Sequence, residues 1–236
     1  MILYASSTML ARSLAVAGIL CGSFVLFGAG CQTPSAQAPT TTPVSSDSPS
    51  TTVPVMSQTL AFPGIRPSAE LAKKVRISTT KGDILIQVEP DLGPNAASNF
   101  VYLVEQGFYQ GTIFHRVIPG FMIQGGDPTG TGMSGPGYTI PDDKVNLPIK
   151  RVPVDNGVAS FPMYTKGTVA MARTMAKNSA GSQFFIMVND NALDPVYAVF
   201  GHVLEGQDIA DAIAAAPRDE QDRPLDEIKM INVTIE

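Results

Sequence analysis

Two short strings in the sequence bring together side chains that could do chemistry. Residues 114–128 read F-H-R-V-I-P-G-F-M-I-Q-G-G-D-P, and residues 181–186 read G-S-Q-F-F-I. The first string places Arg116, which is always charged and donates several hydrogen bonds, near an aromatic ring, a thioether and an amide. Taken singly, the rings are more typical of a core and the arginine of a solvated surface. If such a set formed a site, its positively charged donor would suit electrostatic stabilisation rather than proton transfer.

The rest of the composition argues against several other kinds of functional site. Cys21 and Cys31 are the only cysteines and both lie in the apolar N-terminal region, so the folded part has neither a disulfide nor a thiol nucleophile. His115 and His202 are the only histidines, which argues against a metal site, and we interpret His115 as structural. From Val75 onward, 12 basic residues stand against 19 acidic ones. This acidic balance argues against nucleic acid as a partner.

Two further patterns imitate functional sites. Residues 130–135 satisfy G-x-G-x-x-G, but Pro136 and Gly137 follow at once and cannot open the helix that would receive a pyrophosphate. We therefore predict a surface loop there, not a nucleotide site. Asp142 and Asp143 are interpreted as a solvated loop pair, not as a general acid and base.

Two segments have the apolar spacing of amphipathic helices. The first begins near Pro94, which suits the N1 position, and ends before Gly107, which suits the C′ position. Its apolar stripe comprises Ala97, Phe100, Val101 and Val104. The second runs from about Glu205 to Ala216 and stops at Pro217. Eight segments have the character of short strands: Val75–Thr79, Ile84–Val88, Thr112–Arg116, Met122–Gly125, Thr168–Met171, Gln183–Met187, Ala198–His202 and Ile228–Ile235.

Many short strands with glycine and proline turns, and only two helices, predict a mainly β fold. They favour a closed β-barrel over a doubly wound sheet. We expect the first and last strands to pair with each other.

Residues 1–30 have the layout of a secretory signal peptide. An apolar run over residues 13–27 follows Arg12 and is shorter than the roughly 20 residues that a spanning helix needs. The following F-G-A-G-C-Q resembles a bacterial lipobox, in which the cysteine, here Cys31, receives a lipid and becomes the mature N-terminus. Gly28 departs from this pattern, which usually has an aliphatic residue at that position.

Residues 31–72 are interpreted as a disordered tether. From Thr33 to Thr59, 18 of 27 residues are Ser, Thr or Pro, which cannot bury enough apolar area to offset the entropy of ordering. The prolines stiffen the segment, so it can hold a domain clear of a lipid surface. Residues 73–236 are predicted to form one folded domain, which we expect to be monomeric.

The two strings, followed by F-G-H-V from Phe200, resemble the signature segments of the cyclophilin family of peptidyl-prolyl cis-trans isomerases. The resemblance covers residues 74–236. It implies a closed eight-stranded antiparallel β-barrel capped by two α-helices, in agreement with the separate count of strands and helices. It also implies an active groove on the outside of the barrel that uses no cofactor or metal.

The resemblance carries the family's functional residues onto matching positions of this chain. It assigns catalysis to Arg116, Phe121 and Gln124. It assigns substrate binding to Met122, Ala172, Arg173, Gln183, Phe185, Leu193 and Tyr197. Many eukaryotic members have a tryptophan where this chain has Ala192, and a histidine where it has Tyr197. Because Ala192 removes one wall of the site, we expect weak cyclosporin binding.

The sequence thus predicts an isomerase of X-Pro bonds in exported proteins, anchored by its lipid to a bacterial membrane, in the periplasm or at the cell surface. Its partners would be proline-containing unfolded or flexible segments. The alternative is a catalytically idle peptide-binding scaffold of the same fold. The intact set of Arg116, Phe121 and Gln124 favours the enzyme.

Overall fold

The computed structural model describes residues 60–154 and 157–236. The predicted signal peptide, the lipidation site at Cys31 and the tether as far as residue 59 lie outside the described residues. Within the described ranges, no helix has the length and apolar character that crossing a bilayer requires.

The described residues form a large sheet, a small sheet and three helices. The helices are α1 (Ser68–Leu71), α2 (Pro94–Glu105) and α3 (Gln207–Ala214). The strands of the large sheet are β1 (Lys74–Thr79), β2 (Gly82–Val88), β3 (Ile113–Ile118), β4 (Met122–Asp127), β7 (Thr168–Met171), β8 (Phe184–Met187), β10 (Val199–Glu205) and β11 (Met230–Ile235). The small sheet consists of β5 (Ile149–Val154), β6 (Gly157–Tyr164) and β9 (Asn191–Ala192).

The large sheet curls into a nearly closed antiparallel barrel in the order β11-β1-β2-β10-β7-β8-β4-β3. Strands β1 and β11 pair, with Ile77 opposite Val233, which confirms the predicted pairing of the first and last strands. The two ends of the sheet, β11 and β3, meet at an isolated bridge between Ile113 and Lys229. The predicted mainly β, eight-stranded fold is confirmed, but closure across this seam is partial.

Alternation along the strands separates a core inside the barrel from a second apolar cluster outside it. Successive strand side chains point to opposite faces of a sheet. On β8, Phe184 and Ile186 join the main core, whereas Phe185 and Met187 join the second cluster. Residues for a site on the outside of the barrel are therefore carried by the same strands that build its core.

Helix α2 packs on the main core as its spacing predicts. All four residues of the predicted stripe are buried. The helix ends at a left-handed glycine, because Gly107 has a φ of 66° and Phe108 donates its N–H to the Leu103 carbonyl at 2.9 Å.

The N-terminus of α2 is capped by a distant carboxylate. A side chain at the N-cap residue Gly93 would meet the Val199 carbonyl oxygen, which lies 2.5 Å from where a Cβ would stand. Asp143 supplies the missing acceptor and receives the backbone N–H groups of Asn95 at 3.1 Å and Ala96 at 2.8 Å. The interpretation of Asp143 as a solvated loop residue was therefore wrong.

The packed unit begins before residue 73. Leu71 of α1 is fully buried, and Arg66 donates its backbone N–H to Ser98 on α2 at 2.9 Å. Residues 60–72, which the sequence placed in the tether, thus pack against the domain. Helix α1 was not predicted, and α3 is two residues shorter at each end than its spacing suggested.

The small sheet was missed from the sequence. Strands β5 and β6 form a hairpin in which Pro153 lies opposite Val158 and Ile149 lies opposite Pro162. Prolines cannot donate to a strand ladder, so a segment with several of them does not have the pattern of a strand. Strand β9 joins β6 through the pair of Ala192 and Met163, which connects the hairpin to the chain around Leu193.

Candidate active site

Three predicted site residues form one row across adjacent strands on the outer face of the barrel. The register pairs Arg116 on β3 with Gln124 on β4, and Gln124 with Phe185 on β8. Directly paired antiparallel residues have Cα atoms about 4.5–5.5 Å apart. A charge, an amide and an aromatic ring therefore follow one another over a short distance, and Met122 extends the same face along β4.

This row lies in an open groove of about 380 Å³, which we call the arginine groove. Its lining residues are Arg116, Phe121, Met122, Gln124, Ala172, Arg173, Phe185, Leu193 and Tyr197. The fold thus brings nine of the ten predicted catalytic and substrate-binding residues around one groove. The tenth, Gln183, lies in the adjoining groove.

Tight turns and ring contacts hold the apolar walls of the arginine groove. Gly120 has a φ of 70°, which favours glycine, and the turn it makes returns the chain so that Phe121 lines the groove. On the opposite side, Tyr197 packs edge-on against Phe185, with ring centroids 5.5 Å apart and planes at 87°. The backbone N–H of Leu193 is bound to the hairpin through the Pro162 carbonyl at 3.2 Å.

The amide of Gln124 has a defined orientation. Gln183 donates Nε2 to the carbonyl oxygens of Gly132 at 3.0 Å and Ser134 at 2.9 Å, so its Oε1 is the atom left to face Gln124. Gln124 must then present Nε2, which donates to that oxygen at 3.0 Å. Its own Oε1 and second N–H remain available to a peptide in the groove.

A second groove of about 430 Å³ adjoins the first, and we call it the glycine-loop groove. Its walls are formed mainly by loop residues 132–139 and by residues between 172 and 183, and Gln124, Ala172 and Arg173 belong to both grooves. Residues 129–139 run through turns and bends, as predicted for the G-x-G-x-x-G segment.

One buried carboxylate holds the start of this loop. Asp127 accepts the N–H of Thr129 at 2.7 Å, the Thr129 hydroxyl at 2.8 Å and the N–H of Ser134 at 3.0 Å. Burial alone would raise the pKa of Asp127, but the hydrogen bonds from Ser134, Thr129 and Gly132 outweigh it and lower the pKa to about 2. Asp127 is therefore ionised and fixes the course of the loop.

Arg173 has little freedom to bind a ligand with its side chain. Only 7% of that side chain is exposed, and its Nη1 lies 3.4 Å from Asp142 Oδ2. It also donates to the carbonyl oxygens of Val196 and Ala176, so it joins three loops around the grooves. Asp142, interpreted as a solvated loop residue, is partly exposed and also accepts the Asn178 N–H at 3.0 Å, so it has a structural role in this loop as well.

His115 is enclosed by its neighbours, in keeping with a structural role. It is buried, burial lowers its pKa, and its Nδ1 has no hydrogen-bond partner within the described residues. Across residues 60–154 and 157–236, no three His, Cys, Asp or Glu side chains converge in a way that could hold a metal ion.

Residues 74–235 match the family described as "Cyclophilin type peptidyl-prolyl cis-trans isomerase/CLD". The match spans the whole barrel and both grooves. The chain belongs to the cyclophilin-type peptidyl-prolyl cis-trans isomerases. It is accordingly an enzyme that interconverts the cis and trans forms of X-Pro peptide bonds.

Individual cyclophilins agree with this assignment. The chain is 42% identical over 168 residues to peptidyl-prolyl cis-trans isomerase A of Dickeya dadantii (strain 3937), covering 69% of this chain and 80% of that protein. A peptidyl-prolyl cis-trans isomerase of Acinetobacter baylyi is 42% identical over 171 residues, covering 68% and 84%. A Cryptosporidium parvum cyclophilin, crystallised in the presence of the dipeptide Ala-Pro, is similar in structure, with a TM-score of 0.59, 33% identity and coverage of 70% and 99%.

Two carboxylates with structural roles, Asp127 and Asp143, have little or no signal of their own in the sequence. Asp127 accepts backbone N–H groups of the glycine loop, and Asp143 accepts those at the start of α2. These partners are known only from the folded chain. The order Asp-x-Thr at 127–129 is a turn signal that could have indicated the first of them. Ala192 pairs with Met163 on β6 and directly precedes Leu193, which lines the arginine groove.

Proposed function

We propose that this cyclophilin accelerates rotation about X-Pro bonds in exported proteins while tethered to a bacterial membrane by a lipid on Cys31. The row of Arg116, Gln124 and Phe185 across three strands carries the catalytic part of the proposal. The leader sequence and its lipobox-like end support the location.

The chemistry is a change in torsion, with no bond broken. Amide resonance imposes a barrier of about 18–20 kcal/mol on rotation about a peptide bond. Phe121, Met122, Phe185 and Leu193 form an apolar surface suited to the pyrrolidine ring of proline. Arg116 can donate a hydrogen bond to the imide nitrogen as its lone pair leaves resonance, which stabilises the twisted transition state electrostatically.

Gln124 and the neighbouring backbone hold the peptide on either side of the rotating bond. The hydrogen bond from Gln124 to Gln183 fixes the amide before substrate arrives, so little ordering remains to be done in the transition state. Arg173 contributes through the loops that it joins, while its side chain stays paired with Asp142.

The location is tested by Cys31→Ala in the full-length protein, followed by membrane fractionation and mass spectrometry of the mature N-terminus. We expect the variant to be soluble or unprocessed and the wild type to need detergent, because the lipid would be the anchor. Cys21→Ala is the matched control and should behave as wild type. Normal processing and membrane association of Cys31→Ala would contradict the lipid assignment.

A further inference from the structure

A carboxylate outside both grooves is paired with Arg116. Asp222 Oδ2 lies 3.7 Å from Arg116 Nε, while Asp222 Oδ1 accepts a hydrogen bond from Arg218 Nε at 3.2 Å. We propose that Asp222 is a positioning residue that orients the guanidinium of Arg116 for isomerisation. This inference rests on the catalytic role proposed for Arg116.

The backbone brings Asp222 to this place. Its carbonyl oxygen accepts the N–H of Val117, the strand residue next to Arg116, at 2.8 Å. Its φ of 63° lies in the left-handed region, which is costly for most side chains but tolerated by Asp and Asn. The position of the carboxylate is therefore set by the main chain docked on β3.

The loop that carries Asp222 is itself braced. A bridge pairs Arg218 with Pro224, and Asp219 accepts the N–H of Arg223 at 2.9 Å. The side chain of Arg223 donates to the Gly130 carbonyl oxygen, which connects this loop to the glycine loop. A surface ion pair usually costs side-chain entropy to form, but here the loop holds the acid in place.

The geometry of the pair decides which nitrogens of Arg116 are free. A guanidinium has Nε on its stem side and two terminal nitrogens in a planar fork. Because the Asp222 carboxylate lies nearest to Nε, at 3.7 Å, it attracts the stem side of the guanidinium and leaves the fork free to face the arginine groove, which Arg116 lines. Arg218 shares the charge of Asp222, so the three side chains together keep a net positive charge beside the groove.

The test compares Asp222→Asn with Asp226→Asn in the full-length protein. Asparagine tolerates the left-handed backbone, so Asp222→Asn removes the charge with little strain. Asp226 is exposed, lies four residues away and forms none of these contacts, so it controls for loss of one negative charge. Exchange NMR on an Ala-Pro peptide separates the on-enzyme isomerisation rate from the dissociation constant.

We expect Asp222→Asn to slow on-enzyme isomerisation by about three- to fivefold, the effect of one partly exposed charge pair, with little change in the dissociation constant. Asp226→Asn should match the wild type. In an Arg116→Ala background, Asp222→Asn should have no further effect, because there is no guanidinium left to orient. The Nε–H resonance of Arg116 should shift in Asp222→Asn and move in the opposite direction in Arg218→Gln.

Two results would overturn the proposal. One is a wild-type rate and an unshifted Nε–H resonance in Asp222→Asn. The other is an equal loss of rate in the presence and absence of Arg116, which would mean that Asp222 only stabilises its loop. A failure of the function proposed for Arg116 is distinguishable, because Arg116→Ala alone would then keep full turnover.

Discussion

The two adjoining grooves of this cyclophilin are built by different means. Strand register places four side chains of the arginine groove, those of Arg116, Met122, Gln124 and Phe185, and the other five lining residues come from turns and loops. Loop residues form most of the glycine-loop groove, and the course of its loop is set by the N–H that Asp127 accepts from Ser134 and by the hydrogen bonds that Gln183 donates to Gly132 and Ser134. Arg116 and Gln124, two of the three residues assigned to catalysis, thus lie on strands, and Phe121 directly precedes β4. The glycine-loop groove depends instead on the hydrogen bonds of a few polar side chains. A substitution that disrupts one groove should therefore leave the other largely unchanged.

The largest effect is expected at Asp127, on stability. Asp127→Asn should lower the free energy of unfolding by about 2 kcal/mol, roughly 30-fold in the folding equilibrium, because an amide cannot accept every N–H and O–H that the carboxylate accepts. Urea denaturation measures this change, with Asp226→Asn as the control. Turnover on an Ala-Pro peptide, measured where the variant is folded, should change by less than about twofold, because strand register places Arg116, Gln124 and Phe185 and the loop reaches them only through Gln183.

The lowered pKa of Asp127 also predicts that the stability of the protein depends on pH. The pKa of Asp127 falls from an ordinary 3.8 to about 2 on folding, so the folded state binds this proton less readily than the unfolded state. Its contribution to stability is complete above about pH 4 and is lost as the pH falls toward 2. The difference in unfolding free energy between wild type and Asp127→Asn should shrink over that interval. A difference that is constant with pH would show that the carboxylate charge is not responsible.

The next largest effect is expected at Arg116 in the arginine groove, on turnover. Arg116→Ala should leave the barrel folded, since 45% of the side chain is exposed, but should cut turnover at least tenfold, or about 1.4 kcal/mol of transition-state stabilisation. A protease-coupled assay on a proline peptide measures turnover, and thermal unfolding checks the fold. Arg151→Ala, at an exposed hairpin position, is the control for charge. Full activity of a well-folded Arg116→Ala would remove Arg116 from catalysis.

The contrast between the grooves also explains what the sequence could predict. Five of the nine residues that line the arginine groove lie in the two strings, and the resemblance to the family supplied the other four, Ala172, Arg173, Leu193 and Tyr197. The apolar stripe of α2 has a clear period, so local pattern was enough for the helix. The cap from Asp143 could not be foreseen, because it depends on Gly93 being too crowded for a side chain. The loop contacts of Asp127 join side chain to backbone and leave only a weak turn signal in the sequence. The hairpin was not predicted because Pro153 and Pro162 interrupt the strand pattern of its two strands.

A substitution at the rim tests the missing wall of the arginine groove. Ala192→Trp should strengthen inhibition by cyclosporin at least tenfold, because buried aromatic contacts with a satisfied N–H are often worth about 2 kcal/mol or more at interfaces. Turnover on small peptides should change little. The chain has no tryptophan, so fluorescence would report binding directly. Ile231→Trp, at an exposed position on β11, is the control.

Inhibition of the wild-type protein by cyclosporin tests the same role of position 192. Tight inhibition of the wild type by cyclosporin would show that the groove does not need an indole at position 192. No gain from Ala192→Trp would show that this residue does not stand beside the bound inhibitor.

The smallest effect is expected at Gln183, the residue that connects the two grooves. In Gln183→Glu, the carboxylate can still accept from Gln124, so the arginine groove should keep its amide in place. The same carboxylate would face the carbonyl oxygens of Gly132 and Ser134 without a proton to donate, and the loop should move away. Turnover on a short Ala-Pro peptide should therefore change by less than about twofold, while a longer peptide that reaches the glycine-loop groove should lose about fivefold, the worth of one hydrogen bond. The matched control is Gln110→Glu, at an exposed position. An equal loss on both peptides would mean that the grooves act as one site, because a change confined to the glycine loop would then have reached the strands that carry Arg116 and Gln124.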